Sequence, residues 1–189
     1  APKLKHYGID QDKVTGINQK IAEISCELRD EMRENNPDRN FFVAGDLAPT
    51  GEFLEPFGEI SFRELIDVYK QQVRGLLNAG VDLFVIETMM DLNQTRAAVL
   101  AVKEICDLPV FATLTFDNGK TLSGESPLEC LITLESLGVK AFGANCSTGP
   151  LEMAKLLSEL SQISGIPIIA KPNAGIPYEI DGETVFPMG

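Results

Sequence analysis

Three observations predict that this sequence folds as an α/β protein with a parallel sheet. Strand-like and helix-like segments alternate along the 189 residues. The strand-like segments are continuous apolar runs, as expected where helices cover both faces of a sheet. Polar residues stand where each run ends, and the carboxyl ends of parallel strands are where such folds bind ligands. The pattern fits an open sheet or a closed barrel, but no glycine-rich dinucleotide motif follows any strand, which weakens the open Rossmann-type alternative.

Periodicity and capping signals predict five main helices. An apolar stripe spaced by three and four residues, Val14, Ile17, Ile21, Ile24, Leu28 and Met32, predicts a helix over 10–34 that ends at Asn35-Asn36-Pro37. Ser61 and Glu64 form a capping box for a second helix, which ends at Gly80. The other three helices are expected to begin at the capping box 91–94, at Pro127 and at Pro150.

The apolar runs between these helices predict the strands. Their expected ranges are 41–44, 81–88, 109–116, 141–146 and 166–171. Because a helix separates each pair of strands, neighbouring strands should be parallel. Asp181-Gly182 suits a tight primed turn, so the end of the chain, 177–185, should form a small hairpin. No linker or low-complexity tract interrupts the pattern, which predicts one domain over 1–189.

Composition narrows the class of function. The 16 basic and 28 acidic side chains give a formal charge of -12, which argues against a nucleic-acid partner because phosphate binding needs clustered Lys and Arg. No apolar stretch has the roughly 18 to 20 residues of a membrane helix, and the first residues do not resemble a signal peptide. The four cysteines are widely spaced without a CxxC pair, which fits a reducing cytoplasm.

Two strand-end residues are candidates for chemistry. Glu87 closes the apolar run 83–86, and a carboxylate buried there needs a ligand or a donor as partner; the alternative is a structural ion pair. Cys146 follows Asn145 at another strand end, where a thiolate could act as metal ligand or nucleophile; the alternative is a buried apolar side chain. The other cysteines, Cys26, Cys106 and Cys130, are placed on helices and are expected to be inert.

Two further residues bear on the reaction type. His6 is the only histidine and is expected to be solvated, so a histidine-based triad is improbable. Lys171 ends the fifth strand and would form a Schiff base only if it were desolvated; the alternative is a structural or rim-facing lysine.

The strand-end segments resemble the homocysteine S-methyltransferase family, and most closely the homocysteine-binding barrel of cobalamin-dependent methionine synthases. The matching segments, in the family's order and spacing, are 43–51 (VAGDLAPTG), 85–88 (VIET), 114–116 (LTF), 143–147 (GANCS) and 172–175 (PNAG). The likeness covers essentially the whole chain. It implies a (β/α)8 TIM-type barrel, of which the chain holds about strands three to seven and forms an incomplete fragment.

The resemblance also implies a chemistry. In that family, zinc held by three cysteine thiolates activates the sulfur of homocysteine, and Cys146 matches the first of the three ligands. Glu87 would contact the amino-acid part of homocysteine, while Asn145, Asn173, Ala174 and Gly175 would shape the pocket. A free thiol near neutral pH is mostly protonated, and coordination to zinc deprotonates it. The methyl donor suggested is methylcobalamin on a corrinoid module of the full-length enzyme, with betaine and S-methylmethionine as alternative donors.

The family's other two zinc ligands form an adjacent Cys-Cys pair that is not present in this sequence. The fragment by itself is therefore expected to be inactive and to lack stoichiometric zinc. An incomplete barrel leaves two unpaired strand edges, which favours self-association. Two other classes of function stay open: a lyase that uses Lys171 as a Schiff base, and a barrel fragment without catalysis.

Overall fold

The computed structural model describes residues 2–5, 7–175 and 178–185. It has α1 (Pro2–Lys5), a 3-10 turn (Gln11–Lys13), α2 (Val14–Asn35), β1 (Ala44–Leu47), α3 (Phe62–Ala79), β2 (Leu83–Met89), α4 (Leu92–Lys103), β3 (Val110–Leu114), α5 (Pro127–Ser136), β4 (Ala141–Asn145), α6 (Pro150–Ile163), β5 (Ile168–Lys171), β6 (Tyr178–Ile180) and β7 (Glu183–Val185). His6, which was expected to be solvated, and Pro177, which was expected to begin the hairpin, lie outside the described residues.

The sheet follows the predicted alternation of strands and helices. Five strands lie in the order β1-β2-β3-β4-β5, and the β1–β2 and β4–β5 pairs are parallel. The small antiparallel hairpin of β6 and β7 is also confirmed. Its turn residues Asp181 and Gly182 have φ of 51° and 81°, the positive values that a primed turn requires.

Local capping signals place the helix ends. Ser61 and Glu64 form the predicted capping box of α3, and Gly80 ends that helix in the left-handed conformation with φ 88°. A second capping box of Ser126 and Glu129 begins α5, with a proline in the first turn, as predicted for Pro127. These signals act within three or four residues, which is why the sequence alone locates them.

The first strand begins later than the sequence predicts. It was expected over 41–44 but spans Ala44–Leu47. The residues before this strand form hydrogen bonds with side chains instead of with a neighbouring strand. The Arg33 guanidinium donates to the Phe41 carbonyl, with Nε at 3.0 Å, and the Val43 N–H donates to the Asp82 carboxylate at 2.7 Å. The backbone of 41–43 is thereby held beside the start of β2.

The helix that the apolar stripe predicts is confirmed as α2, but Val14 is the only residue of the stripe that is buried. Val14 is buried, but Ile21, Ile24 and Leu28 are more than half exposed. The buried positions of this helix are instead Val14, Ala22 and Cys26. The packing of α2 against α3 is so close that a Cβ added at Gly75 of α3 would lie 2.4 Å from the carbonyl oxygen of Thr15. Such close packing selects small side chains on the contact face.

The chain divides into two compact units, each with its own core. One comprises Ala1–Ile86 with Asn93–Phe111, and the other comprises Glu87–Leu92 with Ala112–Gly189. The first buries Leu47, Leu65, Tyr69, Val73, Phe84 and Ile86; the second buries Met89, Leu114, Phe116, Leu131, Leu134, Phe142 and Met153. No helix in the described part of the chain combines the length and apolar character needed to cross a membrane.

Candidate active site

The second unit contains a buried hydrogen-bond cluster centred on Asn145, the last residue of β4. Asn145 is 2% exposed. Its Oδ1 accepts from the Thr88 N–H at 2.9 Å and from the Thr113 hydroxyl at 2.7 Å. Its Nδ2 donates to the Thr88 hydroxyl at 2.8 Å and to the Cys146 sulfur at 3.2 Å. The amide thus links the ends of three strands, and it presents an N–H donor to the Cys146 sulfur, which acts as acceptor.

Backbone strain is concentrated at the same strand ends. Thr88, Cys146 and Ser147 have φ of 58°, 57° and 57°, although none is a glycine. A left-handed conformation costs about 1–2 kcal/mol for such a residue, and it is most unusual for a β-branched threonine. The two bonds from Asn145 hold Thr88 in place. Strained residues of this kind cluster at ligand sites, which makes this edge of the second unit the candidate active site.

The loop after Cys146 lies beside the segment 173–175. The Cys146 N–H donates to the Lys171 carbonyl at 3.0 Å, and the Asn173 N–H donates to the Thr148 carbonyl at 3.1 Å. A Cβ added at Gly149 would lie 3.9 Å from the Cα of Gly175, which is buried with φ 90°. The structure therefore brings Asn173 and Gly175 next to the Cys146 loop, while Ala174 between them is exposed.

Glu87 and Lys171 form an ion pair at this site. The ammonium of Lys171, the last residue of β5, contacts the Glu87 carboxylate, and the two side chains are 49% and 30% exposed. The lysine is neither desolvated nor without a counter-charge, so the environment that a Schiff-base lysine requires is absent. The position of Glu87 is compatible with both interpretations of this residue, a structural ion pair and a ligand-binding carboxylate. It has an ionic partner and remains accessible to a ligand.

The remaining cysteines differ from Cys146 in their surroundings. Cys26 and Cys130 are buried in α2 and α5, as expected for inert thiols. Burial raises the pKa of the Cys130 thiol to about 12, with the carboxylates of Glu125 and Glu129 adding to the effect. Cys106 was expected on a helix but follows the end of α4, where its N–H donates to the Val102 carbonyl at 2.9 Å.

The described residues contain no complete metal site. Across 2–5, 7–175 and 178–185, no group of three or more His, Cys, Asp and Glu side chains is placed to hold a metal ion. Tetrahedral zinc needs at least three protein ligands, so these residues do not fit a complete site. Cys146 is the one thiol among them that stands at the candidate active site.

Thr113 was not identified from the sequence as part of the candidate active site. The hydroxyl of Thr113 reaches Asn145 from within β3, whereas the strand-end residue Thr115 has its hydroxyl 3.5 Å from the Met89 carbonyl. A polar residue inside an apolar strand was the available signal. Its partner could not be read from the sequence, because Asn145 is 32 residues away.

Comparison with known proteins decides the family. The sequence profile described as Homocysteine S-methyltransferase matches residues 1–188. The chain belongs to the homocysteine S-methyltransferase family. It is 36% identical over 172 residues to a methionine synthase of Mycobacterium tuberculosis and 35% identical over the same length to one of Mycobacterium leprae. Each alignment covers 88% of this chain but 14% of the relative, so the chain spans about one-seventh of these methionine synthases.

Solved structures confirm the fold of this family member. The homocysteine methyltransferase MmuM from Escherichia coli superposes with a TM-score of 0.80 in its metallated form, at 21% identity over 92% of this chain and 63% of that one. Its apo form gives a TM-score of 0.76 at 22% identity, over 88% and 62%. At this identity the likeness establishes the fold alone, and it confirms the predicted α/β class with the arrangement of part of a methyltransferase barrel.

Proposed function

We propose that this chain contributes the homocysteine-binding part of a homocysteine S-methyltransferase of the methionine synthase type. The observation that carries the proposal is the Asn145 cluster, which presents the Cys146 sulfur as a hydrogen-bond acceptor at the end of β4. The names of the mycobacterial relatives support a reaction that forms methionine. In this reaction a carbon–sulfur bond forms at the homocysteine sulfur, the methyl donor loses its methyl group, and the thiol proton is released.

Each site residue has a proposed part in binding. Glu87 would bind the ammonium of homocysteine, because its carboxylate is partly exposed and is paired with Lys171, whose carbonyl accepts from the Cys146 N–H. Asn173, Ala174 and Gly175 would form one wall of the pocket. Asn145 would act on the pocket indirectly, because its own amide is buried. Its hydrogen bonds would hold Thr88 and Cys146 in position.

Zinc is part of the proposal, with Cys146 as one ligand and the others outside the described residues. Bound zinc would lower the pKa of the homocysteine thiol and hold its thiolate near the donor. The chain's residues by themselves supply one thiolate, so the 189-residue chain alone should purify without stoichiometric zinc and should be inactive. Methylcobalamin is the donor favoured by the likeness to cobalamin-dependent methionine synthases.

The test is the zinc content and activity of the intact protein. Cys146→Ala should abolish zinc binding and methionine formation, whereas Cys106→Ala, a partly buried thiol outside the site, should leave both unchanged. Methylcobalamin, S-methylmethionine and betaine are supplied in turn to identify the donor. Full zinc content and activity in Cys146→Ala would remove this residue from the mechanism.

A further inference from the structure

The Glu87–Lys171 pair joins two oppositely charged groups that are far apart in sequence. Lys171 ends β5 and Glu87 lies in β2, 84 residues earlier. Both side chains are partly open to solvent, at 49% and 30% exposure. An ion pair this exposed adds little to stability, because water screens the charges and the long side chains lose freedom. Stability is therefore a weak reason for placing the two charges here.

The pair has the charge pattern that complements a free α-amino acid. An α-amino acid carries its ammonium and its carboxylate on the same carbon atom, so the two charges lie about as far apart as the partners of a charge-assisted hydrogen bond, roughly 3 Å. If the amino acid lies beside the pair with its ammonium next to Glu87 and its carboxylate next to Lys171, each substrate charge meets a protein charge of opposite sign. The ammonium of Lys171 has three N–H donors, so it can keep its contact with Glu87 and still donate to a substrate carboxylate.

We propose that Lys171 binds the α-carboxylate of the amino-acid substrate while Glu87 binds its ammonium. The inference rests on the proposed function and deepens it by naming a second residue that determines substrate specificity. It requires the substrate to be a free amino acid with an unmodified carboxylate. Lys171, which was considered as a Schiff-base lysine, would thus bind the substrate by its positive charge and would not react with it.

The backbone fixes this charge pair relative to the sulfur site. In the β4–β5 ladder Asn145 is paired with Lys171, and the Cys146 N–H donates to the Lys171 carbonyl at 3.0 Å. Lys171 therefore cannot shift along its strand without moving Cys146. Glu87, Lys171 and Cys146 would then recognise the ammonium, the carboxylate and the thiol of one ligand, which selects an amino-acid thiol over a simple thiol.

The experiment compares two ligands that differ by one carboxylate. Binding of homocysteine and of 3-aminopropane-1-thiol, its decarboxylated analogue, is measured by calorimetry on the intact protein and on Lys171→Met, Lys171→Gln and Lys171→Arg. Lys140→Met is the matched control, because Lys140 is exposed and stands just before β4, at the opposite end of that strand from Cys146. Thermal unfolding verifies that each variant is folded.

The unaltered protein should bind homocysteine about tenfold more tightly than the decarboxylated analogue. Lys171→Met and Lys171→Gln should weaken homocysteine binding by about tenfold and leave the analogue within about twofold. Lys171→Arg should keep most of the preference, and Lys140→Met should change nothing.

Three results would overturn the inference: equal affinity of the unaltered protein for the two ligands, equal weakening of both in Lys171→Met, or no weakening of either. If the unaltered protein binds homocysteine but Lys171 has no effect, only this inference fails. If it binds neither ligand, the proposed function fails as well.

Discussion

Replacing Asn145 with leucine removes the acceptor of two donors, the half-buried Thr88 N–H and the buried Thr113 hydroxyl. Leucine has the same branched shape and number of side-chain heavy atoms but no polar atom, and the site is 2% exposed, so water cannot take the place of the lost amide. A buried donor without a partner costs about 1–3 kcal/mol. Two of them should lower the free energy of unfolding by about 3 kcal/mol.

A double-mutant cycle isolates the contact. Thr113→Val alone should cost about 1 kcal/mol, because it deletes one donor and leaves Oδ1 of Asn145 paired with the Thr88 N–H. In the Asn145→Leu background the same substitution should be neutral or stabilising, since it removes a hydroxyl that has already lost its acceptor. The two changes should therefore be strongly non-additive.

Urea unfolding of the 189-residue chain, followed by far-ultraviolet circular dichroism, gives these free energies. Asn78→Leu is the control: Asn78 is exposed on α3 and should change stability by less than about 0.5 kcal/mol. Additive losses for Asn145 and Thr113 would refute the hydrogen-bond cluster and with it the positioning of Cys146. A loss for Asn145→Leu no larger than that for Asn78→Leu would do the same.

Four further predictions follow from other parts of the structure. Gly75→Ala should lower stability by about 1–3 kcal/mol in urea unfolding, because its Cβ would meet a main-chain oxygen of α2, whereas Gly16→Ala, with open space around it, should be neutral or stabilising. Asp82→Asn should cost about 2 kcal/mol at pH 7. Burial raises the pKa of Asp82, but hydrogen bonds from the Val43 N–H, Arg29 and Arg33 outweigh it and hold the pKa below 3.8. The stabilisation is therefore complete above that pH and is lost as the pH falls through the folded pKa, so wild type and Asp82→Asn should converge in acid unfolding. Iodoacetamide at pH 8 should label partly exposed Cys146 quickly and buried Cys130 only on unfolding, by peptide mass spectrometry; equal labelling would contradict the burial. The 189-residue chain should self-associate in sedimentation, since β1 and β5 each have one strand neighbour in the described part of the sheet, and a monodisperse monomer at high concentration would count against it.

The sequence by itself determined the features that depend on near neighbours. The capping box at Ser61, the helix start at Pro127, the glycine after α3 and the Asp181-Gly182 turn act over a few residues, and each was found where it was predicted. The alternation of apolar strands with helices predicted the parallel sheet, because parallel strands need a long crossover connection, which is usually a helix. It also predicted that Glu87, Asn145, Cys146 and Lys171 stand at or beside strand ends.

Tertiary structure decided which of these groups meet. The sequence could not pair Asn145 with Thr88, which is 57 residues away, or Lys171 with Glu87, which is 84 residues away. Nor did the apolar stripe of α2 show which residues of that helix are buried. The helix packs closely on Gly75 of α3, its buried residues include the small side chains Ala22 and Cys26, and Ile21, Ile24 and Leu28 stay exposed. Such choices depend on the shape of the partner surface, which no local pattern encodes.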